Sequence, residues 1–310
     1  MTEFYYGGQA VIEGVMMRGR RQATVAVRRI DGTLATYSED LPRGLYRARV
    51  AKLPFIRGLV ALWEMLILGT RMMLYSANVQ AGREIDQKIP RQVVALMLAV
   101  SLTFVIGLFF VVPLLLARGA ARGHGPLAGN AAEGVIRLLL FVGYLALVGR
   151  FERMRCVFQY HGAEHKTINA FEHGAELSPA SVQRFSTVHV RCGTAFLLWV
   201  IVISIFVFAL IGHPPLLIGI LARIILVPTI AAISYEILRL AARYYHLPPV
   251  RVMVQPGLWL QRLTTREPSA DQVAVAIAAL MPVLAADGAV VPEPQQAAVT
   301  VRVTTSGAAG

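Results

Sequence analysis

From Gln92 to Ala117 the chain carries no charged residue and is dominated by Val, Leu, Phe and Ala. As a helix, a run of that length covers a hydrocarbon core of about 30 Å. In lipid, every backbone polar group must be satisfied internally, so the fold is constrained to membrane helices. Thr194–Gly212 is a second run, and Leu216–Leu238 a third, although it holds Arg223 and Glu236. Asn130–Gly149 is the weakest, because Arg137 interrupts it near its start. A hydrophobic content of 56% and a mean hydropathy of +0.58 fit a polytopic membrane protein.

The basic residues decide how many runs cross. Fourteen Lys/Arg precede the first run, and only Arg118 and Arg122 separate it from Asn130. Arg150, Arg153, Arg155, Lys166, Arg184 and Arg191 follow Gly149, none lies between Gly212 and Leu216, and six follow Leu238. Basic-rich and basic-poor segments alternate only if all four runs cross, which puts both termini in the cytoplasm. Arg137 and Arg223 would then lie towards the outer ends, where their stems can snorkel. The net charge of +12 fits the cytoplasmic leaflet. No basic stripe interleaved with aromatics points to nucleic acid. The polar, aromatic stretch from Met1 to Ala10 does not resemble a cleavable signal peptide.

Outside the spans, Ala23–Val27 and Thr33–Tyr37 flank Asp31-Gly32, a two-residue hairpin signal. The glycines spaced through Gly7–Gly19 suggest tight turns or close backbone approach, but no nucleotide-binding pattern. Gly58–Ala77 reads as an interfacial or packed helix. Ser269-Ala270-Asp271-Gln272 is a capping box opening a helix to about Met281.

Chemistry concentrates in His161-Gly162-Ala163-Glu164-His165, followed by His189 and Cys192. Imidazoles four residues apart stack on one helix face and can offer two nitrogens to one ion. His189 and Cys192 could complete a tetrahedral nitrogen–sulfur set of the kind zinc prefers. Glu164, directly before the second histidine, matches the inverted zincin order, in which the glutamate acts as base. The bland alternative is a polar helix whose histidines are solvated or cap a membrane end. Cytosolic placement keeps Cys192 reduced, as ligand or as nucleophile. Two cysteines are too few for a disulfide framework. Glu236 is a further candidate ligand, with pairing to Arg239 as its alternative; Glu13 and Glu64 read as ion-pair partners of arginines, Glu13 being kept as an additional candidate. His173 and His246 have no partners that single them out, and His124 and His213 fall on the opposite side of the membrane.

Tyr6–Gly19, Tyr160–Thr167, Arg191–Thr194, Ser234–Arg239 and Pro256–Gln261 resemble the YqhQ-like family of bacterial membrane proteins. The resemblance runs from about residue 5 to 281; members of that family are commonly labelled predicted metal-dependent enzymes, so the resemblance implies a metal and supplies no reaction. One departure is Val190, where the family usually has proline.

The expectation is a mostly α polytopic protein of the bacterial inner membrane, with about four spans and a small β-rich region. By residue number it divides into a cytoplasmic β-rich region (1–50), cytoplasmic or interfacial helices (51–91), two spans (92–149) and a cytoplasmic loop with the metal-type residues (150–193). Two further spans (194–238), a cytoplasmic helical region (239–282) and a disordered tail (283–310) complete it. The expected cofactor is a divalent transition metal, zinc by ligand type; expected partners are the bilayer and other membrane proteins, with no nucleic acid. Two functions remain open: metal-assisted hydrolysis with Glu164 as base, or a closed structural site in a scaffold, assembly or regulatory protein.

Overall fold

Strands β1 (Gly7–Val11), β2 (Gly14–Arg18), β3 (Gln22–Arg28) and β4 (Leu34–Asp40) form one antiparallel sheet in chain order. Their alternation sends Val11, Met16, Val25 and Val27 to one face and Val15, Met17 and Ala26 to the other, and both faces are buried. The β3–β4 turn departs from the two-residue expectation. Arg29 N–H donates to the Thr33 carbonyl across a three-residue loop, and Gly32 takes φ +83°. Asp31 supplies the reason, since its carboxylate accepts from both the amide and the hydroxyl of Thr33.

The computed structural model describes residues 5–41, 53–82, 90–120, 126–211 and 215–289. His124, His213, residues 42–50 of the expected β-rich region and most of the expected tail lie outside them.

Helix α1 (Ile56–Gln80) lies on one face of the sheet, where Leu68, Met72 and Val79 meet the strand residues. It is tied there by Glu64 to Arg18, as the ion-pair reading anticipated, by Arg71 to Glu39 and by Gln80 to the Arg28 carbonyl. Helices α2 (Arg91–Ile106), a π segment (Gly107–Val111) and α3 (Val112–Ala120) run on continuously. After α4 (Pro126–Val148) come α5 (Glu152–Glu172), the short α6 (Pro179–Val182), α7 (Gly193–Ile211), α8 (Leu216–Arg243), α9 (Pro248–Thr264) and α10 (Ala270–Asp287).

Helices α5 and α10 cover the second sheet face, with Val273, Val275, Ala276, Ala279 and Leu280 fully buried. The capping box at Ser269 forms as read. The helix does not stop near Met281 but runs through Pro282 to Asp287 and ends at left-handed Gly288. Burial of Val283 and Leu284 in the core outweighs the hydrogen bond lost at proline.

Six described helices are long and apolar enough to cross a membrane: α1, the α2–α3 rod, α4, α7, α8 and α10. That exceeds the four expected, because α1 and α10 pass on composition while packing on the sheet. The helices α4, α7 and α8 pack side by side, with α3 against α4. Large apolar side chains such as Leu139, Phe206, Leu210 and Ile225 stay uncovered, as suits lipid contact.

Arg137 and Arg223 do not snorkel. Both are buried within the bundle and both grip the Glu133 carboxylate. Arg137 also donates to Ser204 Oγ at 2.6 Å and to the Phe109 carbonyl of the π segment at 2.7 Å. With these internal acceptors, neither guanidinium needs to reach water.

Candidate metal centre

Helix α5 is polar in composition yet almost wholly buried from Gly162 to Ile168, because it runs between the sheet, α10 and the segment before α7. Its four-residue spacing sets the rings of His161 and His165 against each other, centroids 4.4 Å apart.

Backbone carbonyls fix both rings. His161 Nδ1 lies 2.9 Å from the Thr264 carbonyl at the end of α9, and His165 Nδ1 lies 2.6 Å from the Thr187 carbonyl. A carbonyl only accepts, so each Nδ1 carries a proton, and in the neutral form of such a ring the lone pair is on Nε2. Backbone carbonyls that orient imidazoles in this way are the usual second layer of a metal site.

Cys192 immediately precedes α7, and its Sγ sits 3.3 Å from His161 Nε2 and accepts from the Thr194 amide at 3.4 Å. One ligand atom from each of His161, His165 and Cys192 falls within 4.8 Å of the others. Burial pushes His165 below its ordinary value of 6.5, which favours the neutral, ligating ring. This two-nitrogen, one-sulfur set fits a transition ion such as zinc.

His189 lies beside the three rather than among them. Its ring centroid is 5.7 Å from that of His165, and its Nε2 faces Glu172 at 3.4 Å and Arg191 at 3.3 Å. Gln261 holds the His189 backbone from both sides, accepting from its N–H and donating to its carbonyl. Residue 190 follows this clamp, so the Val190 departure falls where Gln261 fixes the preceding residue.

Glu164 is buried next to this group. Burial pushes its carboxyl upwards, while His161, His189 and the Gly8 amide pull the other way. A Cβ on Gly8 would stand 3.1 Å from the Glu164 carboxyl carbon and 2.3 Å from the Met16 carbonyl oxygen. The glycine-spaced segment therefore does make a close approach, and it touches the candidate base.

The additional acidic candidates lie elsewhere. Glu236 pairs with Arg57, with Nε at 2.7 Å, and accepts from the Phe55 amide, so its principal partner is not Arg239. Glu13, at the β1–β2 turn with φ +50°, faces the Cys156 thiol at 3.1 Å and the Tyr160 hydroxyl at 3.3 Å rather than an arginine salt bridge. Burial first, and Glu13 second, push the Cys156 thiol up to about 12.

Sequence reading missed Thr187, Thr264 and Glu172, which act through carbonyls or a long-range pair and leave no local signature. Gln261 was within reach, as the last residue of the Pro256–Gln261 motif.

The chain is similar to the uncharacterized protein YqhQ of Bacillus subtilis (strain 168), with 35% identity over 286 residues, covering 88% of this chain and 90% of that protein. No solved structure matches it. Residues 53–286 match the family described as protein of unknown function DUF1385. The chain belongs to the DUF1385 family, with YqhQ as a relative over most of its length.

Proposed function

We propose that this protein is an integral membrane metal-binding protein whose site, built by His161, His165 and Cys192, serves metal-assisted hydrolysis on the cytoplasmic side of the bacterial inner membrane. The carrying observation is the convergence of these three ligand atoms within 4.8 Å while His189 faces Glu172. Three protein ligands leave a coordination position for water or substrate, whereas four close a structural site. When bound, zinc supplies Lewis-acid activation of water and of a polarised substrate oxygen. Glu164 is the residue suited to take the proton.

Four spans with both termini cytoplasmic suit this reading. Arg57, held by Glu236 of α8, and Glu64, held by Arg18 of the sheet, are only seven positions apart. At about 1.5 Å per residue that is no bilayer crossing. Helix α10 is likewise committed to the sheet and α5. This leaves α2–α3, α4, α7 and α8, with the basic-residue alternation setting direction.

One observation favours a structural metal instead: the cluster joins α5, the segment before α7 and, through Thr264, the end of α9. Elemental mass spectrometry on detergent-purified protein tests the metal. About one transition ion per chain, lost in a folded His161→Ala/His165→Ala variant, supports the site; no metal after reloading wild type overturns it. Glu164→Gln then separates the readings, abolishing hydrolysis without metal loss in the catalytic case and leaving function intact in the structural one.

A further inference from the structure

Two helices outside the four spans expose apolar stripes at one level of the bundle. On α1, Ile56, Leu59, Trp63 and Leu66 recur at helical spacing and are uncovered, with Trp63 62% exposed. On α9, Val252, Pro256 and Trp259 do the same, with Trp259 56% exposed. The opposite sides of both helices are committed to protein: α1 to the sheet, α9 to α8 through Val254 and Leu258 and to α7 through Gly257 and Leu260.

The two helices meet the same stretch of α8. The start of α1 is pinned there by Arg57 to Glu236 and by Gly58 against the Tyr235 ring, while α9 packs on Ala241. These positions fall in the last turns of α8, which ends at Arg243. Gly257 of α9 contacts Ala195, in the first turn of α7. Both stripes therefore sit where spans leave the hydrocarbon. There, an aromatic ring with a polar tip and an arginine with a long apolar stem are favoured. Helix α9 contains Arg251 and Arg262, both exposed, and no acidic residue.

We propose that the first half of α1 and the outer face of α9 lie in the anionic headgroup region of the bilayer, as a lipid-bound collar on the side of the metal-type cluster. The collar rests on the four-span reading. It gives the exposed apolar faces a defined occupant, continuous with the lipid that surrounds α7 and α8. It also holds the cluster at the membrane surface, since Cys192 directly precedes α7 and Thr264, the carbonyl partner of His161, ends α9.

The test uses the full chain in vesicles of phosphatidylcholine and phosphatidylglycerol whose acyl chains are brominated near the headgroup or near the bilayer centre. Three variants each keep one tryptophan, the other two being replaced by phenylalanine. Trp63 alone and Trp259 alone are expected to be quenched most by the shallow label, and Trp199 alone, inside α7, to be quenched by brominated lipid as well. Quenching of Trp199 with unquenched, water-like emission from Trp63 and Trp259 overturns the collar and leaves the spans standing. No quenching at any of the three overturns the four-span reading itself. Val252→Cys carrying a polarity-sensitive label gives a second reading with every tryptophan in place: apolar emission supports the collar, and water-like emission in vesicles overturns it.

Discussion

Arg223 donates through Nε at 2.9 Å to the carboxylate of Glu133, ninety residues earlier in the chain, and both side chains are almost wholly buried. Arg137, one turn after Glu133, grips the same carboxylate. One acid thus serves two guanidiniums inside the bundle, and the group keeps a positive charge in excess.

Removing Glu133 is expected to be far more damaging than removing a neutral partner. Glu133→Gln leaves two buried cations without their counter-charge, a loss of about 3–5 kcal/mol. Ser204→Ala removes one hydrogen bond to Arg137, a loss of about 1–3 kcal/mol. Thermal unfolding in detergent should place Glu133→Gln clearly below Ser204→Ala. Equal midpoints for the two variants would show that the carboxylate is not what holds the arginines.

Ligand count is readable by substitution. Cys192→Ser and His165→Ala should each cut bound metal to a small fraction of one ion per chain. His189→Ala should keep most of it, because the His189 ring faces Glu172. Loss of its support should cost no more than about 10- to 100-fold in affinity, the scale for a second-layer partner. Metal titration followed by elemental analysis decides this. Equal loss in all three variants would make His189 a fourth ligand and favour the structural reading.

Acid should destabilise the metal-free protein in a window set by histidine. Burial holds His165 and His189 below their ordinary 6.5. Below that value the unfolded chain takes up protons that the folded chain refuses, so stability is full above it and falls as pH drops. Glu164 has the opposite sign, because its raised carboxyl costs stability as pH rises above its ordinary 4.5. Melting in chelator from about pH 7.5 to about pH 5.5 should show a falling midpoint, with a shallower slope in His189→Gln. An unchanged slope in His189→Gln would mean that this imidazole is hydrated rather than buried.

Two helix–partner contacts of equal closeness should differ in cost. A Cβ at Gly162 would stand 2.1 Å from the Arg266 carbonyl oxygen, and one at Gly69 would stand 2.1 Å from Gln9 Oε1. The Arg266 carbonyl belongs to a backbone held by its own bond to Phe158, whereas Gln9 can swing its side chain away. Gly162→Ala is therefore expected to cost about 1–3 kcal/mol and Gly69→Ala less, as read from unfolding midpoints. The reverse order would place the rigid contact at Gln9.

The sequence by itself determined what depends on local order along the chain. Apolar length marked the bundle helices, and alternation around Asp31-Gly32 marked the hairpin. Four-residue spacing put His161 and His165 on one face, and Ser269–Gln272 announced the start of α10. Tertiary structure alone decided whatever depends on which segments meet. Apolar composition is the same whether a helix faces lipid or a sheet, so only the tertiary structure shows that α1 and α10 pack on the sheet. Arg223 reads as a charge at the outer end of its helix until Glu133 is seen beside it, because ion pairing across ninety residues leaves no local pattern; the Glu133–Arg137 pair, four residues apart, was within reach of the sequence. For the same reason, the sequence offered His189 and Cys192 equally. Only tertiary packing, with Cys192 just before α7 set beside α5 and Gln261 of α9 clamping the His189 backbone, brings the thiol to the two imidazoles and turns the third ring to Glu172.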